Sequence, residues 1–206
     1  SSAAFPAALA CLHPGSDITL LNVGINERRT GFYTTLKEMG VSVRYTNKRL
    51  EGGEPVADIK VMLNGDLQAV DVPAERVPSM IDEFPVLSVI AACADGTTKM
   101  TGLAELRVKE SDRLALVAKG LKDCGVDLEA GEDTLVIHGN AKPPTGGASI
   151  KTSLDHRIAM SFLILGSATK EPVEIDDVNP VSTSFPGFVD MMNDLGTNIT
   201  ALNAGE

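Results

Sequence analysis

The chain contains no tryptophan, only 4% aromatic residues, three histidines and three cysteines among its 206 residues. Each shortage excludes something. With so few rings there is little on which bases could stack, and a formal net charge of -10 repels a phosphate backbone, so nucleic acid is not expected as a partner. The same charge argues against an anionic membrane surface, and no apolar run approaches the ~20 residues of a bilayer span. Cys11, Cys93 and Cys124 are odd in number, lack CxxC or CxxH spacing and lie in apolar stretches. They read as reduced core thiols of a cytoplasmic protein, not as disulfides or metal ligands. His13, His138 and His156 are too widely spaced to build a metal site. The opening Ser1-Ser2-Ala3-Ala4-Phe5-Pro6 has neither an initiating Met nor a basic segment ahead of an apolar one. It reads as a cut into a longer protein, not as a signal peptide.

What is present is the composition of an ordinary globular domain, 43% hydrophobic and 22% charged, enough for one substantial core or two small ones. The main organising signal is a repeat. Leu36-Lys37-Glu38-Met39-Gly40-Val41 and Leu121-Lys122-Asp123-Cys124-Gly125-Val126 share one pattern, and Met192-Asn193-Asp194-Leu195-Gly196-Thr197 is a weaker copy. In each, Gly stands where a helix C-cap needs a left-handed residue, and an extended segment follows. Three units of about residues 1–72, 81–140 and 155–203 result, each with an apolar helix, a strand, an amphipathic helix and further strands. Helices are expected over residues 3–12, 31–39, 83–94, 109–124, 156–165 and 185–195. Strands are expected over residues 18–23, 41–45, 59–63, 68–72, 98–102, 126–129, 134–138, 173–175 and 198–202, with 139–149 a surface connection. The fold class is therefore a single pseudo-threefold α/β domain, with equivalent helices aiming their N-termini at one cleft.

Three helix starts carry charge that packing does not require: Asp82-Glu83, Lys109-Glu110 with Arg113, and Asp155-His156-Arg157. Lys109 and Arg113 are placed four apart in an opening turn, where cations oppose the macrodipole unless an anion binds on free N–H groups between them. By itself that turn also reads as two ordinary surface pairs, Lys109–Asp112 and Glu110–Arg113. Asp155 reads best as an N-cap, and His156 also reads as a helix-start surface residue. Arg157 repeats the oddity of Arg113, and Arg28 and Arg29 precede another helix at Gly31.

Leu106-Arg107-Val108-Lys109-Glu110-Ser111-Asp112-Arg113-Leu114 resembles a signature of the 5-enolpyruvylshikimate-3-phosphate (EPSP) synthase family. Ile81-Asp82-Glu83-Phe84-Pro85, Asp155-His156-Arg157-Ile158-Ala159-Met160 and Ser184-Phe185-Pro186 fall in the family's order. The resemblance implies the C-terminal half of a two-domain clamp of βαβαββ units, an inside-out α/β barrel, whose N-terminal half is absent. It implies transfer of enolpyruvyl from phosphoenolpyruvate to the 5-hydroxyl of shikimate 3-phosphate, with release of phosphate and without a metal or other cofactor. Asp82 and Glu110 are then the proton-transfer carboxylates, and Lys109 touches shikimate 3-phosphate. Arg113 and Arg157 hold phosphoenolpyruvate, with His156 nearby. Ser79-Met80-Ile81-Asp82-Glu83 and Glu105-Leu106-Arg107 resemble the glyphosate-insensitive class. One departure is Thr183, where sensitive members carry a Lys that contacts phosphoenolpyruvate. Two rivals are a UDP-N-acetylglucosamine enolpyruvyl transferase, which shares the fold, and a substrate-binding module with no turnover alone.

Overall fold

A computed structural model describes residues 1–202. Three helices are apolar on every side: α1 (Ala4–Leu12), α3 (Phe84–Ala91) and α5 (His156–Gly166). A helix with no polar face must be enclosed on all sides. These three pack against one another at the centre, with nearly every side chain of α1 and α3 buried. Around them lie the amphipathic helices α2 (Gly31–Glu38) and α4 (Arg113–Asp123), the short α6 (Asn179–Ser184) and α7 (Phe188–Asp194), and three small sheets. Helices inside and sheet outside is the expected inside-out arrangement.

The first sheet has order β1-β3-β2, from β1 (Asp17–Gly24), β2 (Ser42–Glu51) and β3 (Glu54–Met62), all antiparallel. The second repeats that order as β5-β7-β6, from β5 (Asp95–Met100), β6 (Asp127–Ala130) and β7 (Leu135–Asn140). It adds β4 (Asp71–Val72) alongside β5 in parallel, so that β4, α3 and β5 form a βαβ crossover. The same crossover recurs around α5, where β8 (Ser149–Ile150) pairs in parallel with β9 (Glu174–Ile175).

The glycine markers hold in detail. Gly40, Gly125 and Gly196 have φ of 88°, 88° and 105°, a region that costs other residues strain. In each copy the Gly N–H donates three residues back, to Lys37, Lys122 and Asn193. The next N–H donates five back: Val41 to Leu36, Val126 to Leu121 and Thr197 to Met192. This is one Schellman stop used three times.

The structure departs from the sequence expectations in several places. The β2-β3 hairpin runs over Ser42–Glu51 and Glu54–Met62 where strands over 41–45 and 59–63 were expected, and β8 was not expected as a strand. Residues 109–112 are not helical: Lys109 is extended and α4 begins at Arg113, because Asp112 is the N-cap and accepts from the Ala115 N–H at 2.9 Å. The expected helix over residues 185–195 begins only at Phe188, because Pro186 offers no N–H and keeps Phe185 out of the helical region, and a separate helix that was not expected, α6, covers Asn179–Ser184. Residues 198–202 form no strand. Asn193 there accepts from the Ile199 N–H and donates to its carbonyl, occupying the groups a ladder would need. Finally, β5 starts three residues earlier than expected, and the 68–72 strand shrinks to Asp71–Val72 with an isolated bridge from Gln68 to Asp95.

α4 reaches α5 closely because Gly120 has no side chain: a Cβ there would lie 2.3 Å from the Phe162 ring. Gly120→Ala should therefore push the two helices apart and destabilise the chain by about 1–3 kcal/mol, despite alanine's better helix propensity. Thermal unfolding checks this, and an unchanged or raised midpoint would contradict it.

Candidate active site at converging helix starts

The starts of α3, α4 and α5 meet around one side chain. Arg113, the first residue of α4, is fully buried and donates to three carboxylates. Its Nε bonds Asp155 Oδ2 at 2.8 Å, one terminal nitrogen bonds Asp82 Oδ1 at 3.0 Å, and the other bonds Glu110 Oε2. A guanidinium carries five donors in a flat fork, so it can serve three acceptors in its plane at once. Burying it alone would be prohibitive, and the carboxylates offset that cost. Their exposures differ: the Asp155 side chain is 0% accessible, Asp82 32% and Glu110 54%. Asp155 is therefore the fixed partner, and Asp82 and Glu110 face solvent.

Asp155 does more than cap α5. Its Oδ1 accepts the Arg157 N–H at 2.9 Å, while Oδ2 also accepts from Ser111 Oγ at 2.8 Å. Burial by itself would push this carboxyl up, but the Arg113, Ser111 and backbone hydrogen bonds outweigh it and hold the group below its ordinary value. Before it, Ser153 and Leu154 are non-glycine residues at φ of 53° and 61°. Such backbone costs on the order of 1–3 kcal/mol per residue and persists only where neighbours over-determine it.

Arg157 lies beside Asp82 from the other side. One terminal nitrogen donates to the Asp82 carbonyl at 3.0 Å, and ionic contacts at 3.9 Å reach the Asp82 and Glu83 carboxylates. His156 is half-buried next to it; desolvation first, then the charge of Arg157, lowers its pKa and leaves the ring neutral at pH 7. Lys109 sits at the rim and bonds Glu105. The expected Lys109–Asp112 pair does not form, because Arg107 takes Asp112 at 2.8 Å and anchors on the carbonyls of Gly131 and Glu132. The Glu110–Arg113 pair does form, but as part of a buried cluster and not as a surface pair.

The structure thus brings Asp82, Glu110, Arg113 and Arg157 together, with His156 on the same helix start and Lys109 at the edge. Asp155 caps α5 as expected, while at α4, where free backbone N–H groups were expected, the Asp112 side chain already takes that of Ala115. A cleft of about 420 Å³ is lined by Glu83, Arg29, Asn26 and the start of α1, but by no member of the cluster itself. A second cleft of about 540 Å³, at Arg76, Lys99 and Glu38, contains none of the cluster. Sequence reasoning missed Ser111 and the charge-pairing role of Asp155, whose signal was masked by its ordinary fitness as a cap.

Residues 1–192 match the family model described as EPSP synthase (3-phosphoshikimate 1-carboxyvinyltransferase). The chain belongs to the EPSP synthase family. It is 56% identical over 203 residues to the 3-phosphoshikimate 1-carboxyvinyltransferase of Paramagnetospirillum magneticum, covering 98% of this chain and 45% of that protein. Against the protein of the same name from Rhodospirillum rubrum, identity is 54% over 202 residues, with the same coverage. The EPSP synthase structure from Acinetobacter baumannii superposes with a TM-score of 0.93 at 44% identity, covering 97% of this chain and 46% of that one. The enolpyruvyl transferase NikO of Streptomyces tendae, at 18% identity and a TM-score of 0.76, shares the fold. The chain spans about half the length of the curated relatives it matches. Among the described residues no helix is long and apolar enough to cross a membrane.

The titration behaviour of the site has one sign. A histidine whose folded pKa lies below the unfolded 6.5 binds fewer protons than the unfolded chain, so stability falls as pH drops through 6.5. His13, lowered by burial, adds to this. The depressed Asp155 carboxyl contributes stability that is present above 3.8 and lost as pH falls through its folded value. Urea unfolding should show stability declining from pH 7.5 to 5.5 and again below 4, with His156→Gln reducing the first decline. A flat profile from pH 7.5 to 5.5 would contradict the assignment.

Proposed function

We propose that this chain is the C-terminal half of a 3-phosphoshikimate 1-carboxyvinyltransferase, built from three units of about residues 1–72, 81–140 and 155–203, the last residue lying outside those described. The complete enzyme transfers enolpyruvyl from phosphoenolpyruvate to the 5-hydroxyl of shikimate 3-phosphate and releases phosphate, in the cytoplasm, as a step toward the aromatic amino acids. The observation that carries the reading is the gathering of Asp82 and Glu110 on Arg113, with Arg157 on Asp82, in a chain whose relatives bear that name.

The chemistry needs such a cluster. In the addition, the 5-oxygen attacks C2 of phosphoenolpyruvate while C3 takes a proton and the hydroxyl gives one up. In the elimination, a C3 proton and phosphate leave. Both steps need a carboxyl that can give and take a proton, and Asp82 and Glu110, the solvent-facing members, are the candidates. Two polyanions must also be held together against their mutual repulsion. Arg113 and Arg157 meet the phosphoenolpyruvate, Lys109 meets the shikimate 3-phosphate, and His156 assists as a neutral hydrogen-bonding group. The N-terminal half supplies the opposing wall, and closure onto it excludes water. The resemblance of Ser79-Met80-Ile81-Asp82-Glu83 and Glu105-Leu106-Arg107, with Thr183 in place of Lys, supports the glyphosate-insensitive class.

The test uses the complete enzyme and phosphate release from the two substrates. Glu110→Gln and Asp82→Asn should each lower kcat by about 10²- to 10⁴-fold, and values within a few-fold of wild type would overturn the roles. The chain alone should turn over negligibly and recover activity when mixed with its missing half. Turnover of a UDP-amino sugar in place of shikimate 3-phosphate would favour the sister transferase.

A further inference from the structure

We infer that Asp155 is a positioning residue for phosphoenolpyruvate that acts through Arg113, and that its own place is set from outside the site by a clamp between Thr152 and Asp176. This rests on the proposed function for the identity of the anion. The geometry behind it is independent of that reading.

Arg113 has one buried anchor and two exchangeable partners. Asp82 and Glu110 hold its terminal nitrogens from the solvent side, where an arriving carboxylate or phosphate would compete with them. Asp155 holds Nε from the dry side and cannot be reached. When a substrate anion displaces a solvent-side carboxylate, Asp155 is the holder of the guanidinium plane that no arriving anion can exchange. An asparagine could not replace it. Both carboxylate oxygens accept: Oδ1 from the Arg157 N–H, Oδ2 from Arg113 Nε and Ser111 Oγ. An amide has one oxygen, so its NH₂ would face either the helix start or the guanidinium, donor against donor.

Asp155 is reached through the left-handed pair Ser153-Leu154, which would relax unless its two ends were fixed. The far end is held by its N–H bond to the Thr152 carbonyl at 3.1 Å. The near end is held by Asp176, whose Oδ1 accepts from both the N–H (2.9 Å) and the hydroxyl (2.6 Å) of fully buried Thr152. Asp176 is itself tied to β8 by its N–H bond to the Ile150 carbonyl at 3.2 Å. The crossover β8-α5-β9 thus sets residues 152 and 176 side by side, and the short turn from Thr152 into α5 delivers Asp155. Asp176 is exposed and touches none of the cluster, so nothing in core packing requires a carboxylate there.

The experiment is steady-state kinetics of the complete enzyme with both substrates, alongside thermal midpoints. Asp155→Asn should raise the KM for phosphoenolpyruvate by about tenfold or more while the KM for shikimate 3-phosphate stays within about threefold. Asp176→Ala, remote from the substrates, should raise the phosphoenolpyruvate KM by about three- to tenfold. Asp176→Asn keeps an accepting oxygen for Thr152 and should stay within about twofold of wild type. An unshifted phosphoenolpyruvate KM in Asp176→Ala, or equal shifts of both KM values, would overturn the inference even if Asp155→Asn does not fold. A wild-type enzyme without turnover on these substrates would instead overturn the proposed function, leaving the two failures distinct.

Discussion

A guanidinium taken wholly out of water is the constraint from which much of this fold's organisation follows. Arg113 stands in the first turn of α4, where the helix dipole already disfavours a cation. Its burial is tolerable only because Asp155 meets it in the dry interior and Asp82 and Glu110 meet it from the open side. Those carboxylates come from three different helix starts, so their meeting fixes how α3, α4 and α5 approach one another. Gly120 against Phe162 allows the approach of α4 to α5, and the central apolar helices give α3 and α5 no alternative face. Packing and electrostatics select the same arrangement, as expected of a sequence that specifies one structure.

Much of the architecture was legible because it repeats with a physical cause. Gly40, Gly125 and Gly196 marked three helix stops, and all three carry the same pair of Schellman bonds. Continuous apolar stretches marked α1, α3 and α5 as the apolar helix of each unit, and the structure places all three in the interior. What misled was local competition. Periodicity carried the fourth helix back to Lys109, whereas the Asp112 side chain claims the Ala115 N–H and starts the helix at Arg113. Pro186 and Gly187 hold off until Phe188 the helix expected from residue 185, and α6 ahead of them was not expected. The extended look of residues 198–202 counted for nothing once Asn193 had taken the backbone groups of Ile199.

At the site the same lesson applies to side chains. Arg113 and Arg157 could be singled out because cations at helix starts oppose the dipole, whereas Asp82 and Glu110 took their roles from the resemblance to the family. Asp155 could not, because an Asp before a helix is the commonest of caps, and a single sequence does not reveal that its second oxygen faces a buried arginine. Its left-handed approach through Ser153 and Leu154 was equally hidden, since neither residue type advertises positive φ.

The capped helix ends also change how an anion must bind. Were α4 and α5 open, a phosphate could settle on their N–H groups with little help. With Asp112 and Asp155 already taking one N–H each, an anion bound as proposed would instead exchange with a carboxylate on Arg113. Exchange has two consequences. The guanidinium is never left uncompensated, so the large penalty of a lone buried charge is avoided in both states. And the carboxylate displaced, Glu110 or Asp82, would be released from Arg113 on the solvent side, beside the arriving anion. On the proposed reaction, anion recognition and the freeing of a proton-transfer group would then be two outcomes of one rearrangement around Arg113.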